Sequence, residues 1–186
     1  MKRIFDIIFS ISILTIAITP MLLIALIIKF SSSGPIIFWS KRVGMDNKIF
    51  LMPKFRSMRV NTPSLATHLL ENPVSYLTPI GAFLRQYSLD ELPQLLSVLK
   101  GDMSLVGPRP ALYNQYDLIN IRTKKGVHKI LPGITGWAQI NGRDDLAILN
   151  KAHLDEEYLK LKSFWFDLKI LWKTFYKALF RENVSH

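Results

Sequence analysis

Residues Ile7 to Ile28 read IIFSISILTIAITPMLLIALII, 22 residues with no charged side chain. As a straight helix this stretch extends about 33 Å, close to the thickness of a bilayer's hydrocarbon core. Lys2 and Arg3 give it a basic start, as in a secretory leader. The apolar run is longer than a usual leader core, however, and no small-residue cleavage pattern closes it. A membrane helix over residues 1–30 is therefore the preferred reading.

Pro20, preceded by Thr19, falls inside this run. An interior proline removes one helix hydrogen bond and crowds the previous turn, so a bend is predicted. Basic residues flank both ends, with Lys2 and Arg3 before the run and Lys29, Lys41 and Arg42 after it. Positive flanks favour the cytoplasmic side, and a bent, re-entrant helix satisfies both. Re-entrant is preferred to spanning on this ground.

The chain has 186 residues, a length suited to one main domain. Its net charge of +10 calls for an anionic partner: nucleic acid, anionic lipid or a phosphorylated substrate. No nucleic-acid-binding module or basic helix face is visible, so nucleic acid is set aside. Cysteine is absent, which excludes disulfides and thiolate metal sites.

The catalytic domain, residues 31–186, is expected to begin at the break Ser31-Ser32-Ser33-Gly34-Pro35. Ile36 to Trp39 and Lys48 to Phe55 read as strands around the turn Gly44 to Asn47. Helices are expected over Pro79–Tyr87, Ser88–Lys100 (stopped by Gly101) and Asn114–His128. Leu131–Gly142 reads as a glycine-rich loop and strand region. From Leu154 to Phe180, apolar and aromatic residues recur at helical spacing with lysines interleaved. Such a segment suits a membrane-interface helix; an amphipathic helix that only covers the core fits equally well.

Ser88 and Glu91 fit the S-x-x-E capping box, which would put Asp90 in a first helical turn. Stability alone explains an acidic residue there. Downstream, Gly101 to Pro110 ends in one arginine, Arg109, held between two prolines. A guanidinium fixed in this way suits bidentate recognition of phosphate. Leu131 to Arg143 repeats the theme of glycines followed by an arginine, and glycine permits close backbone approach to a ligand. Each stretch by itself reads equally well as a structural turn with a solvated arginine.

Taken in order, Lys54-Phe55-Arg56-Ser57-Met58, Ser88 to Leu95, Gly101 to Pro110, Pro132 to Arg143 and Asp167-Leu168-Lys169 resemble the monotopic phosphoglycosyl transferases, also called bacterial sugar transferases. The resemblance covers nearly the whole chain and is to the minimal, single-domain form. It implies an α+β, mostly helical catalytic unit on the cytoplasmic face of the bacterial inner membrane, with interfacial amphipathic helices. It also implies transfer of a sugar 1-phosphate, expected to be that of an N-acetylated amino sugar, from a UDP-sugar to a polyprenyl (undecaprenyl) phosphate. UMP would be released, and an aspartyl-phosphosugar intermediate would form on the way. This would be the first membrane step of glycoconjugate or polysaccharide assembly.

By the same resemblance Asp90 is the expected nucleophile and Glu91 its acidic partner, both near Mg²⁺. Arg85, Arg109 and Arg143 match phosphate-binding positions, and Lys54 and Gln139 are weaker matches. Asp167 would orient an arginine or else cap the last helix. Thr19 and Pro20 match the break in the family's membrane helix, with threonine where serine is commoner. A threonine hydroxyl bonding to the previous turn would preserve the bend. Membrane lipid is an expected partner, and a homodimer remains open.

Overall fold

The computed structural model describes residues 1–63, 72–142 and 146–180. Helix α1 runs over Lys2–Ser31 and is followed by an antiparallel hairpin of β1 (Ile37–Val43) and β2 (Ile49–Phe55). Its register pairs Ile37 with Phe55 and Val43 with Ile49. Asp46 and Asn47 adopt left-handed backbone in the turn, where short polar side chains tolerate positive φ. Helix α2 spans Gly81–Gln86, a 3-10 segment Leu89–Gln94, and α3 Leu95–Lys100. Gly101 stops α3 with φ +99.

Strand β3 (Ser104–Val106) pairs in parallel with β4 (Gly133–Thr135), and α4 (Tyr116–Lys124) lies between them in sequence. Short α5 (Trp137–Ile140), α6 (Ile148–Leu161) and α7 (Phe164–Phe180) complete a mostly helical domain. The main core gathers Met52, Leu95, Val98, Met103, Tyr158 and Ile170 from four elements and the loop before β3. A second cluster packs Ile24 and Ile28 of α1 against Phe55 and Leu84. Burying each such aliphatic side chain contributes about 1.5–3 kcal/mol.

Helix α1 touches the domain along one stripe: Asp6, Ser10, Ala17, Ile24 and Ile28 are buried. At its start, Asp6 accepts from the Ser104 hydroxyl at 2.8 Å, and the Arg3 guanidinium donates to the Leu99 carbonyl at 2.8 Å. At its end, Arg56 donates to the Ser32 carbonyl at 3.0 Å and also to that of Ser33. The opposite face is apolar and bare, with Ile16 80% and Phe30 85% exposed. Among the described residues α1 is the one helix long and apolar enough to cross a membrane, by length and composition.

The structure revises several expectations. The capping box does not form: Ser88 is left-handed (φ 54) and makes no side-chain cap. The helix expected from Ser88 is instead 3-10 as far as Gln94, with Pro93 inside it. Helix α1 continues through Pro20, and its hydroxyl bonds to the previous turn come from Ser12 and Thr15, with none from Thr19 among the described residues. Residues 131–142 hold a short helix, α5, as well as the strand. The amphipathic C-terminal segment is two helices rather than one. The first ends at Leu161, and Ser163 caps the second, its hydroxyl accepting from the Phe166 amide at 3.2 Å.

Candidate active site

Asp90 and Glu91 sit at the start of the 3-10 segment, which packs against β2. The tight 3-10 turn sends the two neighbouring carboxylates into different surroundings. Glu91 Oε1 accepts from Lys54 Nζ at 2.8 Å and from Arg109 Nη2 at 2.7 Å. Arg109 Nη1 lies 3.4 Å from Oε2, making the pair two-pronged. Asp90 is buried, yet its carboxylate accepts no hydrogen bond among the described residues.

The electrostatics follow from these contacts. Burial raises Asp90 above the ordinary aspartate value; Lys54, Arg85 and Arg109 oppose the shift and Glu91 adds to it. Burial also works to raise Glu91, but Arg109 and Lys54 outweigh it and hold that carboxyl well below the usual range. Burial pulls Lys54 below the usual lysine value against the attraction of Glu91. Adjacent carboxyls are thus driven in opposite directions, a pattern that separates roles in enzyme sites.

Arg109 owes its position to contacts outside the cluster. Its carbonyl accepts from Arg122 Nη1 at 2.8 Å, and the Pro110 carbonyl accepts from Arg42 Nη1 at 3.1 Å. Arg122, from α4, is itself held by Asp155 of α6, with Nε at 2.8 Å and Nη2 at 2.6 Å from Oδ2. Sequence reading missed Arg42, Arg122 and Asp155. No local motif marks them, because the Arg122–Asp155 pair joins residues 33 positions apart on two different helices.

The glycines act differently from expectation. A Cβ on Gly133 would lie 2.1 Å from the Gly107 nitrogen, and one on Gly136 would lie 2.1 Å from the Gly107 oxygen. The close approach they permit is between two backbones, the segment carrying Arg109 and the one around β4. Gly107 N donates to the Thr135 carbonyl and Gly133 N to the Pro108 carbonyl, each at 2.9 Å.

Of the expected site residues, Lys54, Asp90, Glu91 and Arg109 come together. Arg85 lies close enough to act electrostatically on Asp90, and its Nη1 contacts Met58 Sδ at 3.5 Å. Gln139 turns into its own loop, donating to the Ile134 carbonyl at 2.8 Å. Asp167 meets a lysine rather than an arginine: Lys2 Nζ is 2.5 Å away, and the Tyr158 hydroxyl donates to its other oxygen at 2.7 Å. Arg143 lies outside the described residues.

No group of three or more His, Cys, Asp or Glu residues is placed for a metal among the described residues. Mg²⁺ is often held by one or two carboxylates together with substrate phosphates. Asp90 accepts no hydrogen bond among the described residues, and Glu91 Oε2 holds only the 3.4 Å contact from Arg109, so each carboxylate keeps lone pairs that could meet a cation. The donor set fits a cation carried largely by a diphosphate and met by one or both of these carboxylates.

A family described as bacterial sugar transferase matches residues 1–181. The chain is 43% identical to the "UDP-glucose:undecaprenyl-phosphate glucose-1-phosphate transferase" of Escherichia coli (strain K12), over 96% of this chain and 40% of that protein. Identity is 38% to the "Undecaprenyl-phosphate galactose phosphotransferase" of Salmonella typhimurium, over 98% of this chain and 41% of that protein. It is 41% to the "Uncharacterized sugar transferase EpsL" of Bacillus subtilis (strain 168), over the whole chain and 90% of that relative. The chain therefore spans about two fifths of the two relatives whose names give an activity.

Proposed function

Because the chain belongs to the bacterial sugar transferase family, we propose that it transfers a sugar 1-phosphate from a UDP-sugar to undecaprenyl phosphate, with Asp90 as nucleophile. The observation that carries this reading is the split between neighbouring carboxylates. Glu91 is engaged by Lys54 and Arg109, while Asp90 accepts no hydrogen bond among the described residues and lies beside the same cations.

In the first step an Asp90 oxygen attacks the β-phosphorus, the bond to the UMP oxygen breaks, and UMP leaves with that electron pair. An acyl phosphate carrying the sugar stays on Asp90. In the second step a phosphate oxygen of the lipid attacks the same phosphorus, and the Asp90 carboxylate departs. Neither step needs a net proton transfer. Two easier displacements thereby replace one between poor nucleophiles.

Lys54, Arg85 and Arg109 surround the attacked phosphate with positive charge, which favours the anionic transition state. Glu91 holds Lys54 and Arg109 at a common point. Mg²⁺ bound through the diphosphate and Asp90 would supply further neutralisation of phosphoryl charge. Arg143 is retained as a phosphate-binding residue on the strength of its motif. For the sugar, the relatives' names favour glucose or galactose over the N-acetylated amino sugar expected from sequence.

Topology belongs to the same proposal. Both ends of α1 dock on one folded unit, Asp6 on β3 and Ile28 on the Phe55–Leu84 cluster. This arrangement supports a helix that enters and leaves by the cytoplasmic face of the inner membrane. Its bare apolar side and the exposed Trp165, Trp172 and Phe175 of α7 would then face lipid.

The test is mass spectrometry of the chain after incubation with a labelled UDP-sugar and Mg²⁺. A phosphosugar adduct on Asp90 is expected, accompanied by UMP release across a panel of UDP-sugars. Normal turnover by Asp90→Asn would overturn the assignment.

A further inference from the structure

A cavity of about 380 Å³ opens where the start of α1 meets the junction of α6 and α7. Small-molecule sites begin at roughly 300 Å³, so the space suffices for a head group and the first part of a chain. Its apolar wall includes Met45, Ile130, Leu131 and Phe164, and its charged groups are Lys2, Lys129, Lys162 and Asp167. Lys54, Asp90, Glu91 and Arg109 are not among its lining residues.

The charges in this lining do not cancel. Both Asp167 oxygens are committed, one to Lys2 at 2.5 Å and the other to the Tyr158 hydroxyl at 2.7 Å. The side chains of Lys129 and Lys162 form no ion pair or hydrogen bond among the described residues. Both lysines are exposed, so the cavity mouth carries two ammonium groups with no side-chain counter-charge among the described residues, beside an apolar wall. An inorganic anion would leave that wall unmatched, and a neutral apolar molecule would gain nothing from the lysines. An anionic amphiphile satisfies both.

The surroundings indicate how such a molecule would arrive. Phe164 meets Phe5 edge-on with ring centres 5.4 Å apart, and Phe5 stacks on Phe9 at 5.3 Å. Phe9 is exposed on α1, and Trp165, beside Phe164, is 77% exposed. The aromatic tier at the cavity therefore joins the bare faces of α1 and α7.

We infer that this cavity holds the phosphate head group of an acidic membrane glycerophospholipid. Lys129 and Lys162 contact the phosphate, and Ile130, Leu131 and Phe164 line the upper acyl chain. The inference rests on the reading of α1 and α7 as membrane-facing. The lipid bridges the first turn of α1, the loop before β4 and the α6–α7 junction, so it fastens the N-terminal end of the membrane helix to the domain. It takes no part in phosphoryl transfer.

The experiment places the full chain in phosphatidylcholine nanodiscs with and without phosphatidylglycerol, then counts retained lipid by native mass spectrometry. Wild type is expected to keep one phosphatidylglycerol per chain against excess phosphatidylcholine and to gain Tm from it. Lys129→Glu with Lys162→Glu should lower that retention at least tenfold, from roughly fivefold per lysine. Met45→Trp, which fills the rim without altering charge, should lower it too. Both variants should still form the Asp90 adduct in phosphatidylglycerol-free detergent.

Equal retention by wild type and both variants would overturn the inference. So would a raised KM for polyprenyl phosphate in the variants with no change in phosphatidylglycerol retention, which would assign the cavity to the acceptor. A chain that inserts into neither nanodisc overturns the membrane-facing reading itself. That outcome is distinct from an inserted chain without lipid preference, which overturns only the inference.

Discussion

Lys2 Nζ lies 2.5 Å from Asp167 Oδ2, so the first turn of α1 is held by the first turn of α7, 165 residues away. Asp167 is almost wholly buried and Lys2 is partly solvated, so the ion pair itself contributes only about 0–1 kcal/mol. The buried hydrogen bond from Tyr158 to the same carboxylate is worth more, and Tyr158→Phe should cost about 1–3 kcal/mol. Cysteines introduced at Ile4 and Ser33 would report on the topology this contact implies, because the chain has no other thiol. Both are expected to react with an impermeant maleimide from the side that carries the domain. Labelling from opposite sides would rule out a re-entrant helix.

Burial holds Asp90 above an ordinary aspartate, so acidification protonates the proposed nucleophile earlier than usual. Adduct formation should fall as pH drops, with its midpoint above about 4. Lys54 opposes the rise and Glu91 adds to it, so Lys54→Met should move the midpoint up and Glu91→Gln should move it down. Stability has a related sign. A folded-state pKa raised above the unfolded one means that stability is lost as pH rises through that window. Asp90→Asn should accordingly raise Tm while abolishing the adduct, and a lowered Tm would count against the burial argument.

Asp155 and Arg122 make a buried pair that supports the Arg109 carbonyl. Asp155→Asn strands a buried guanidinium and should cost about 3–5 kcal/mol, read from denaturant melts. Arg122→Met with Asp155→Leu removes both charges and should restore most of that stability. It still deletes the donor to Arg109, so KM for the UDP-sugar should rise at near-normal Tm. Wild-type kinetics in the double variant would show that Arg122 does not position Arg109.

Gly136 and Gly126 offer a contrast between crowding and backbone strain. A methyl at Gly136 meets the Gly107 carbonyl oxygen at 2.1 Å, while one at Gly126 meets only a Leu159 side chain at 3.9 Å. Gly126→Ala should cost about 1–2 kcal/mol for its left-handed backbone. Gly136→Ala should cost more and should also slow adduct formation, because the displaced backbone carries Arg109. Equal losses in Tm for the two variants would contradict the packing role.

Much of the architecture was legible in order. The apolar run gave α1, the turn residues 44–47 gave the hairpin, and Gly101 marked the end of α3. The capping box at Ser88 was misleading because Glu91 has two cationic partners elsewhere, a competition no local pattern records. The junction at Lys162–Ser163 was hidden because lysines and aromatics continue across it at compatible spacing.

The sequence by itself determined the long apolar helix, the hairpin and the set of charged residues available for chemistry, because periodicity, turn propensity and ordered motifs are properties of neighbouring residues. The tertiary structure decided which carboxylate the cations occupy and which they leave open. It also decided that the motif glycines serve backbone contact and that Lys2 meets Asp167. These outcomes depend on contacts between residues far apart in the chain, such as Lys54 with Glu91, 37 positions away. Burial then sets the strength of each interaction, and burial exists only once the chain has folded.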